Sequence, residues 1–174
     1  MALSKKMIQT LFEDLNNELA ILDTKADLFV IGGTAMVMAY DARPSTKDID
    51  GIWQPSEPIR KIIKLLSEKY DIDADWLNDA AKGLMPNVQD ENPVVIFDGS
   101  YISVSAPSPQ YLLATKILAS RLDRDEVDIE LLVKLCEITN VDQCIAIVDK
   151  YYPGRPLQAR SKFMVEVIIS DLQN

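Results

Sequence analysis

The sequence predicts an α/β protein of the α+β type, in which a small α/β half is followed by an α-helical half. Strand-like segments at residues 27–33 and 47–53 flank a short helix-like segment, and a second pair of strand-like segments follows. From Pro107 onward every signal is helical. The chain has 174 residues and 48% hydrophobic content, which suffices for a sizeable core. We expect an α/β domain over residues 1–106 and a helical subdomain over residues 107–174.

The first half alternates between helix and strand signals. Residues 4–22 have the apolar spacing of an amphipathic helix, "DLFVIGG" suits a buried strand that ends in glycines, and "TAMVMAY" suits a helix that begins at those glycines. "KDIDGIW" alternates with the period of a strand, and residues 56–70 predict another amphipathic helix. Residues 71–93 predict an irregular polar connection with room for one short helix. "VVIFD" and "YISVS" then predict a hairpin.

The second half predicts four helices. Ser108 and Pro109 suit the N-cap and first residue of a helix through "QYLLATKILASRL". Helices over "EVDIELLVKLCEI" and "VDQCIAIVDKYY" follow, and the last helix is expected from about Leu157.

Composition excludes several classes of function. The net charge of −9 argues against broad coating of nucleic acid, and the absence of histidine excludes Ser-His-Asp and Cys-His hydrolases and HExxH proteases. Cys136 and Cys144 match neither a redox pair nor a zinc ligand set, which favours small buried hydrophobes. Acidic residues interrupt the N-terminal helix where a signal peptide needs an apolar run, and no stretch reaches the length of a membrane span. We expect a cytoplasmic protein without a membrane partner.

A Gly-Gly pair stands close in sequence to an Asp-x-Asp pair. The predicted strand delivers the chain into Gly32 and Gly33, and the alternation of the next strand places Asp48 and Asp50 on one face and Ile49 on the other. Two interpretations follow. The segment is either an ordinary strand, helix and strand with acidic residues at its turns, or half of a site that holds a nucleoside triphosphate (NTP) and its metal ions.

The segment "GGTAM…R…STKDID" resembles the nucleotidyltransferase fold of the DNA polymerase β superfamily, in the form of small bacterial proteins related to abortive-infection (type IV toxin-antitoxin) nucleotidyltransferases. The resemblance implies a small mixed sheet with helices, followed by a helical subdomain. It also implies that Gly32, Gly33 and Thr34 cradle the phosphates of an NTP. Asp48 and Asp50 would hold Mg²⁺ or Mn²⁺ between those phosphates.

A second segment, "LLATKILASRLDRDEVDIELL", is similar to a phrase in the helical part of such proteins. The residues that carry this similarity are Lys116, Ala119, Arg121, Arg124, Asp125 and Asp128. On helical wheels, Lys116 and Asp128 both lie on apolar sides. They either pair as a buried salt bridge or serve catalysis, with Lys116 neutralising a phosphate and Asp128 ordering it or acting on the acceptor.

The sequence also departs from the superfamily pattern. Many such enzymes carry a third carboxylate on a later strand, where this chain has only Ser103 and Ser105. Asp98 at the end of the hairpin is either a substitute for that carboxylate or, as is more common, an ordinary turn aspartate. Arg43 and Lys47 are either charge-balancing residues of the nucleotide site or solvated loop charges.

Two function hypotheses remain. One is a toxin-like, metal-dependent nucleotidyltransferase that moves an NMP from an NTP to an RNA or protein acceptor and is controlled by an antitoxin-like protein. The other is a catalytically degenerate binding module of the same fold that acts through a partner protein.

One stretch combines positive charge with aromatic residues. Between Lys150 and Lys162 the chain carries Arg155 and Arg160 and no acidic residue, and two tyrosines follow Lys150. Either single-stranded RNA or a tRNA end binds there, or the tyrosines belong to the core and the cations are a solvated helix face.

Overall fold

The computed structural model describes residues 2–119 and 122–173 and confirms the predicted α+β class. The strands in this part of the chain are β1 Leu3–Ser4, β2 Ala26–Ile31, β3 Ser45–Thr46, β4 Ile49–Gln54, β5 Leu77–Asn78, β6 Val94–Asp98 and β7 Ile102–Ala106. The α-helices are α1 Lys5–Ile21, α2 Gly32–Met38, α3 Ser56–Tyr70, α4 Pro109–Ala119, α5 Leu122–Leu135, α6 Val141–Tyr151 and α7 Ala159–Gln173. A 3₁₀ helix spans Ala80–Leu84.

The chain divides into two compact units. The first comprises the chain up to Gly83 together with Pro93–Ala106, and the second comprises Leu84–Asn92 together with the chain from Pro107 onward. All seven strands belong to the first unit, and α4 to α7 belong to the second.

The first unit is built on a mixed sheet with the strand order β5-β4-β2-β7-β6. Strands β2 and β4 are antiparallel, β2 and β7 are parallel, and the short β5 pairs parallel with β4 at the edge of the sheet. This register places Asp50 between Ile31 of β2 and Asn78 of β5. A separate two-stranded sheet joins β1 to β3.

Helices α1 and α3 bury the apolar stripes that their sequences predict. The fully buried residues of α1 are Ile8, Leu11, Phe12, Leu15 and Leu19. Leu22, which belongs to the same predicted stripe, is 49% exposed because α1 ends at Ile21 and Leu22 is its C-cap. On the polar side, Asp14 Oδ2 of α1 accepts hydrogen bonds from Lys69 Nζ at 2.6 Å and Tyr70 Oη at 2.7 Å of α3.

The segment 84–92 belongs to the helical unit because buried polar contacts tie it there. Asp90 accepts hydrogen bonds from the backbone N–H of Ser108 at 2.6 Å and from its hydroxyl at 2.8 Å. The Ser108 hydroxyl in turn accepts from the N–H of Tyr111, so Ser108 caps α4 as predicted. The hydroxyl of Tyr152 donates to the carbonyl of Leu84.

Within the helical unit the two cysteines are structural. Cys144 is buried and Cys136 is partly buried, in agreement with the sequence interpretation. Burial raises the pKa of the Cys136 thiol to about 11 and that of Cys144 to about 12. Both thiols are therefore protonated, and weak nucleophiles, at neutral pH.

Candidate functional site

The Gly-Gly turn brings the end of β2 next to a carboxylate. Strand β2 ends at Ile31, and α2 begins at Gly32, whose φ of 61° is a left-handed conformation that glycine adopts without strain. A Cβ on Gly32 would lie 3.5 Å from Asp50 Oδ2. The Asp50 carboxylate therefore lies against the turn, as expected from the pairing of Ile31 with Asp50.

The loop between α2 and β4 is held to the same turn. A Cβ on Gly33 would collide with the side chain of Thr46, so the absence of a side chain at Gly33 allows β3 to approach α2. Thr34 is fully buried, and its hydroxyl donates a hydrogen bond to the backbone carbonyl of Asp48 at 3.1 Å. The glycine turn and the Asp-x-Asp segment are thus fixed to each other by side-chain as well as sheet contacts.

The two aspartates differ in their local structure. Strand β4 begins at Ile49, so Asp50 lies within the strand, whereas Asp48 lies in the bend just before it. Ile49 is fully buried between them. On the preceding loop Arg43 is partly buried and Lys47 is exposed.

An open cleft of about 380 Å³ borders Asp48. Asn78 in this cleft lies opposite Asp50 in the β4–β5 register. The sequence did not predict the side of the cleft that contains Asn78, because residues 71–93 were expected to form an irregular connection. The apolar pair Trp76–Leu77 inside a polar run was the available signal for a strand. The cleft is lined by Lys47, Asp48, Asp73, Asp75, Asn78, Asp79 and Ala80.

The hairpin aspartate does not supply a third carboxylate. Strand β6 is separated from β4 by β2 and β7, which at the spacing of adjacent strands is roughly 14 Å. Asp98 pairs with Ser103, Ser103 with Asp27, and Asp27 with Gln54, whereas Asp50 lies near the opposite end of β4. Asp98 is therefore distant from Asp50 both across and along the sheet.

The oxygen donors fit a divalent cation that binds together with a triphosphate. Asp48 and Asp50 provide carboxylates, the hard ligands that Mg²⁺ and Mn²⁺ prefer, and Mg²⁺ commonly takes only one or two carboxylates with phosphate oxygens and water completing its shell. Across residues 2–119 and 122–173, no three Asp, Glu, Cys or His side chains converge as an all-protein metal site. The residues present fit a shared metal and nucleotide site.

The helical unit contains a buried charged triad, defined as Lys116, Asp125 and Asp128. Lys116 Nζ lies 2.8 Å from Asp125 Oδ1 and 2.6 Å from Asp128 Oδ2. Lys116 is 7% exposed and Asp128 is fully buried. The pairing of Lys116 with Asp128 that the sequence left open is present, and Asp125 is a further partner. Arg121 of the same segment lies outside the described residues.

The basic stretch near the C-terminus has no exposed tyrosine for stacking. Tyr151 and Tyr152 are 2% and 6% exposed, and Tyr151 packs edge-on against Tyr111 at 5.1 Å between ring centroids. Arg155 lies 6.0 Å from the Tyr152 ring. The tyrosines therefore belong to the core, and of the two interpretations of this stretch the RNA-stacking one loses its aromatic surface.

Comparison with known proteins gives a family. The family described as "Nucleotidyltransferase of unknown function (DUF6036)" matches residues 6–164, and the chain belongs to it. No curated protein and no solved structure matches the chain. The family supports nucleotidyl transfer in general, with an NTP as substrate. In the part of the chain that the structure describes, no helix is both long and apolar enough to cross a membrane.

Proposed function

We propose that the protein is a metal-dependent nucleotidyltransferase that moves an NMP from an NTP to an acceptor hydroxyl. The acceptor oxygen forms a bond to the α-phosphorus, and the bond from that phosphorus to the α,β-bridging oxygen breaks. Pyrophosphate leaves with the electron pair, and the hydroxyl proton is released. The observation that carries the proposal is the Asp50 carboxylate against the Gly32 turn, beside Asp48, in a chain of a nucleotidyltransferase family.

Each part of this arrangement has a role in binding and orienting the NTP. Gly32 and Gly33 are partly exposed and leave the backbone accessible to phosphate oxygens, whereas Thr34, which the resemblance also assigned to the phosphates, is fully buried and has no exposed group to offer them. Asp48 and Asp50 hold the cation. A bound Mg²⁺ or Mn²⁺ would neutralise charge on the triphosphate and on the departing pyrophosphate.

Cationic side chains contribute in two places. Arg43 and Lys47 lie on the loop that ends at Asp48, and Lys47 borders the cleft, where it offsets phosphate charge. In the helical unit the resemblance assigns Lys116 to a phosphate and Asp128 to ordering Lys116 or acting on the acceptor. Their contact of 2.6 Å supports the ordering role.

The acceptor is an RNA or a protein hydroxyl. The resemblance further implies a toxin-like activity held in check by an antitoxin-like protein. Burial of Tyr151 and Tyr152 removes the stacking surface that favoured RNA in the stretch from Lys150 to Lys162.

The second candidate is a catalytically degenerate binding module. It is favoured by the absence of a third carboxylate at Ser103 and Ser105 and by the remoteness of Asp98. Such a module would bind an NTP with metal and transfer nothing.

The test of the site is metal-dependent stabilisation by nucleotide. At an NTP concentration about 100-fold above Kd, binding adds about 2.7 kcal/mol to the free energy of unfolding, which raises Tm by roughly 5–10 °C for a chain of this size. We expect this rise with each cation only when an NTP is present, and we expect Asp48→Asn with Asp50→Asn to abolish its metal-dependent part.

A matched control uses the same substitution elsewhere in the sheet. Asp27 is exposed on β2 and pairs with Gln54, at the end of β4 away from Asp50. Asp27→Asn should retain the full metal-dependent rise. An equal rise in the wild type and the double variant would remove Asp48 and Asp50 from the metal site.

A further inference from the structure

The proposed mechanism assigns no role to the side chain of Thr34. Thr34 is the third residue of α2, and its side chain has no exposed surface. Its hydroxyl nevertheless donates to the carbonyl of Asp48, 14 residues along the chain, at 3.1 Å. The buried hydroxyl therefore donates its hydrogen bond to the backbone of a proposed metal ligand rather than to a carbonyl of its own helix.

This hydrogen bond holds the backbone carbonyl of Asp48 itself. Earlier in the loop, Ser45 and Thr46 pair with β1, and after Asp48 the chain enters β4 at Ile49. Between these two anchors, Lys47 and Asp48 form a bend. The Thr34 hydroxyl connects the carbonyl of Asp48 to the helix that starts at the glycine turn, and the N–H of the same peptide, on Ile49, donates to the carbonyl of Trp76 at 2.7 Å.

Metal ligands must be held within about 0.5 Å of their working position to bind well, and the groups behind them supply that precision. We propose that Thr34 is a positioning residue that sets the Asp48 carboxylate relative to the Gly32–Gly33 turn. This inference rests on the proposed function. It replaces the phosphate-cradling role that the resemblance implies for Thr34, because the whole residue is buried.

The test compares Thr34→Val, which keeps the shape and removes the donor, with Thr34→Ser, which restores the donor. The readout is the Mn²⁺ concentration that gives half-maximal binding of the NTP that stabilises the wild type most, measured by calorimetry. Loss of a hydrogen bond that orients a ligand should raise this concentration by about 10-fold in Thr34→Val. Thr34→Ser should return it to within about 2-fold of the wild type.

A second readout separates positioning from general destabilisation. Ser67 of α3 is also buried in the first unit and donates a hydrogen bond to the carbonyl of Lys64 at 2.8 Å. Ser67→Ala removes a comparable bond away from the site, so it should lower Tm without changing the Mn²⁺ midpoint. Metal-free NTP binding should be similar in all these variants, because the glycine turn is unchanged.

The outcomes are distinguishable. A wild type without Mn²⁺-dependent NTP binding would contradict the proposed function and this inference together. If the wild type shows such binding and the Mn²⁺ midpoint of Thr34→Val equals that of the wild type, the inference alone is overturned. If Thr34→Val does not fold, Thr34→Ser still decides, because a midpoint raised by about 10-fold despite the retained hydroxyl would overturn the proposal.

Discussion

Replacing Lys116 with methionine tests what the buried charged triad contributes. The Lys116 ammonium lies within 2.8 Å of carboxylate oxygens from both Asp125 and Asp128. Methionine matches the length and apolar surroundings of the lysine stem but removes the cation. The substitution removes the positive charge that lies beside two buried carboxylates in the interior of the helical unit.

The magnitude follows from competing terms. At an effective dielectric constant of about 20, opposite unit charges at ~4 Å attract by roughly 4 kcal/mol, and burial opposes this with a desolvation cost of several kcal/mol per ion. An intact buried ion pair therefore contributes little net stability, whereas loss of one partner costs about 3–5 kcal/mol. Because Asp128 has no exposed surface, we expect Lys116→Met to reach this range.

The assay is urea unfolding followed by far-ultraviolet circular dichroism. Lys134 is the control, because its pair with Glu130 at 2.6 Å is exposed and spans one helical turn of α5. Lys134→Met should change the free energy of unfolding by no more than about 0.5 kcal/mol. Equal, small losses for both variants would refute the reasoning about the triad. If Lys116 also serves a phosphate, folded Lys116→Met should in addition bind NTP more weakly.

Two further predictions concern the first unit. Burial raises the pKa of Asp14, but the hydrogen bonds from Lys69 and Tyr70 and the positive charge of Lys69 together lower it more, so the pKa lies below its usual value of 3.8. The wild type should therefore be more stable than Asp14→Asn above about pH 4, and this difference should disappear as the pH falls through the pKa of the folded state. Thermal unfolding from pH 6 to pH 2 measures it. A difference in stability that does not depend on pH would contradict this prediction. Gly33→Ala forces Thr46 to move, so it should cost about 1–3 kcal/mol and reduce the NTP-induced rise in Tm, whereas Gly83→Ala, with open space around its Cβ, should leave that rise unchanged; equal effects would show that the approach of Thr46 is unimportant.

Local patterns predicted most of the fold. Apolar periodicity located α1 and α3, and the glycines located the start of α2, because these features depend on residues close in sequence. Strand β5 has only two residues, too few for a period, and its pairing with β4 is a long-range contact. The cleft that residues 73–80 form with Lys47 and Asp48 therefore could not be predicted from the sequence.

The types of residue in the candidate site could be predicted from the sequence, but their contacts could not. The helical wheel predicted that Lys116 and Asp128 lie on apolar sides of their helices. It could not predict that Asp125, less than one turn before Asp128, also contacts the lysine. Tyr151 and Tyr152 were candidate stacking residues because the sequence alone does not distinguish a buried tyrosine from an exposed one. Their burial depends on the packing of α4 against α6, which no local pattern contains.

The most direct test of nucleotidyl transfer is the position of the label that leaves the NTP. Purified protein is incubated with Mg²⁺ or Mn²⁺, cell lysate, and each NTP labelled at either the α- or the γ-phosphate. The account predicts that α-label enters a macromolecule, that γ-label appears only in pyrophosphate, and that Asp48→Asn abolishes both; protease or ribonuclease then identifies the acceptor as protein or RNA. Transfer of γ-label to the acceptor, or binding of the NTP without any transfer of α-label, would contradict it.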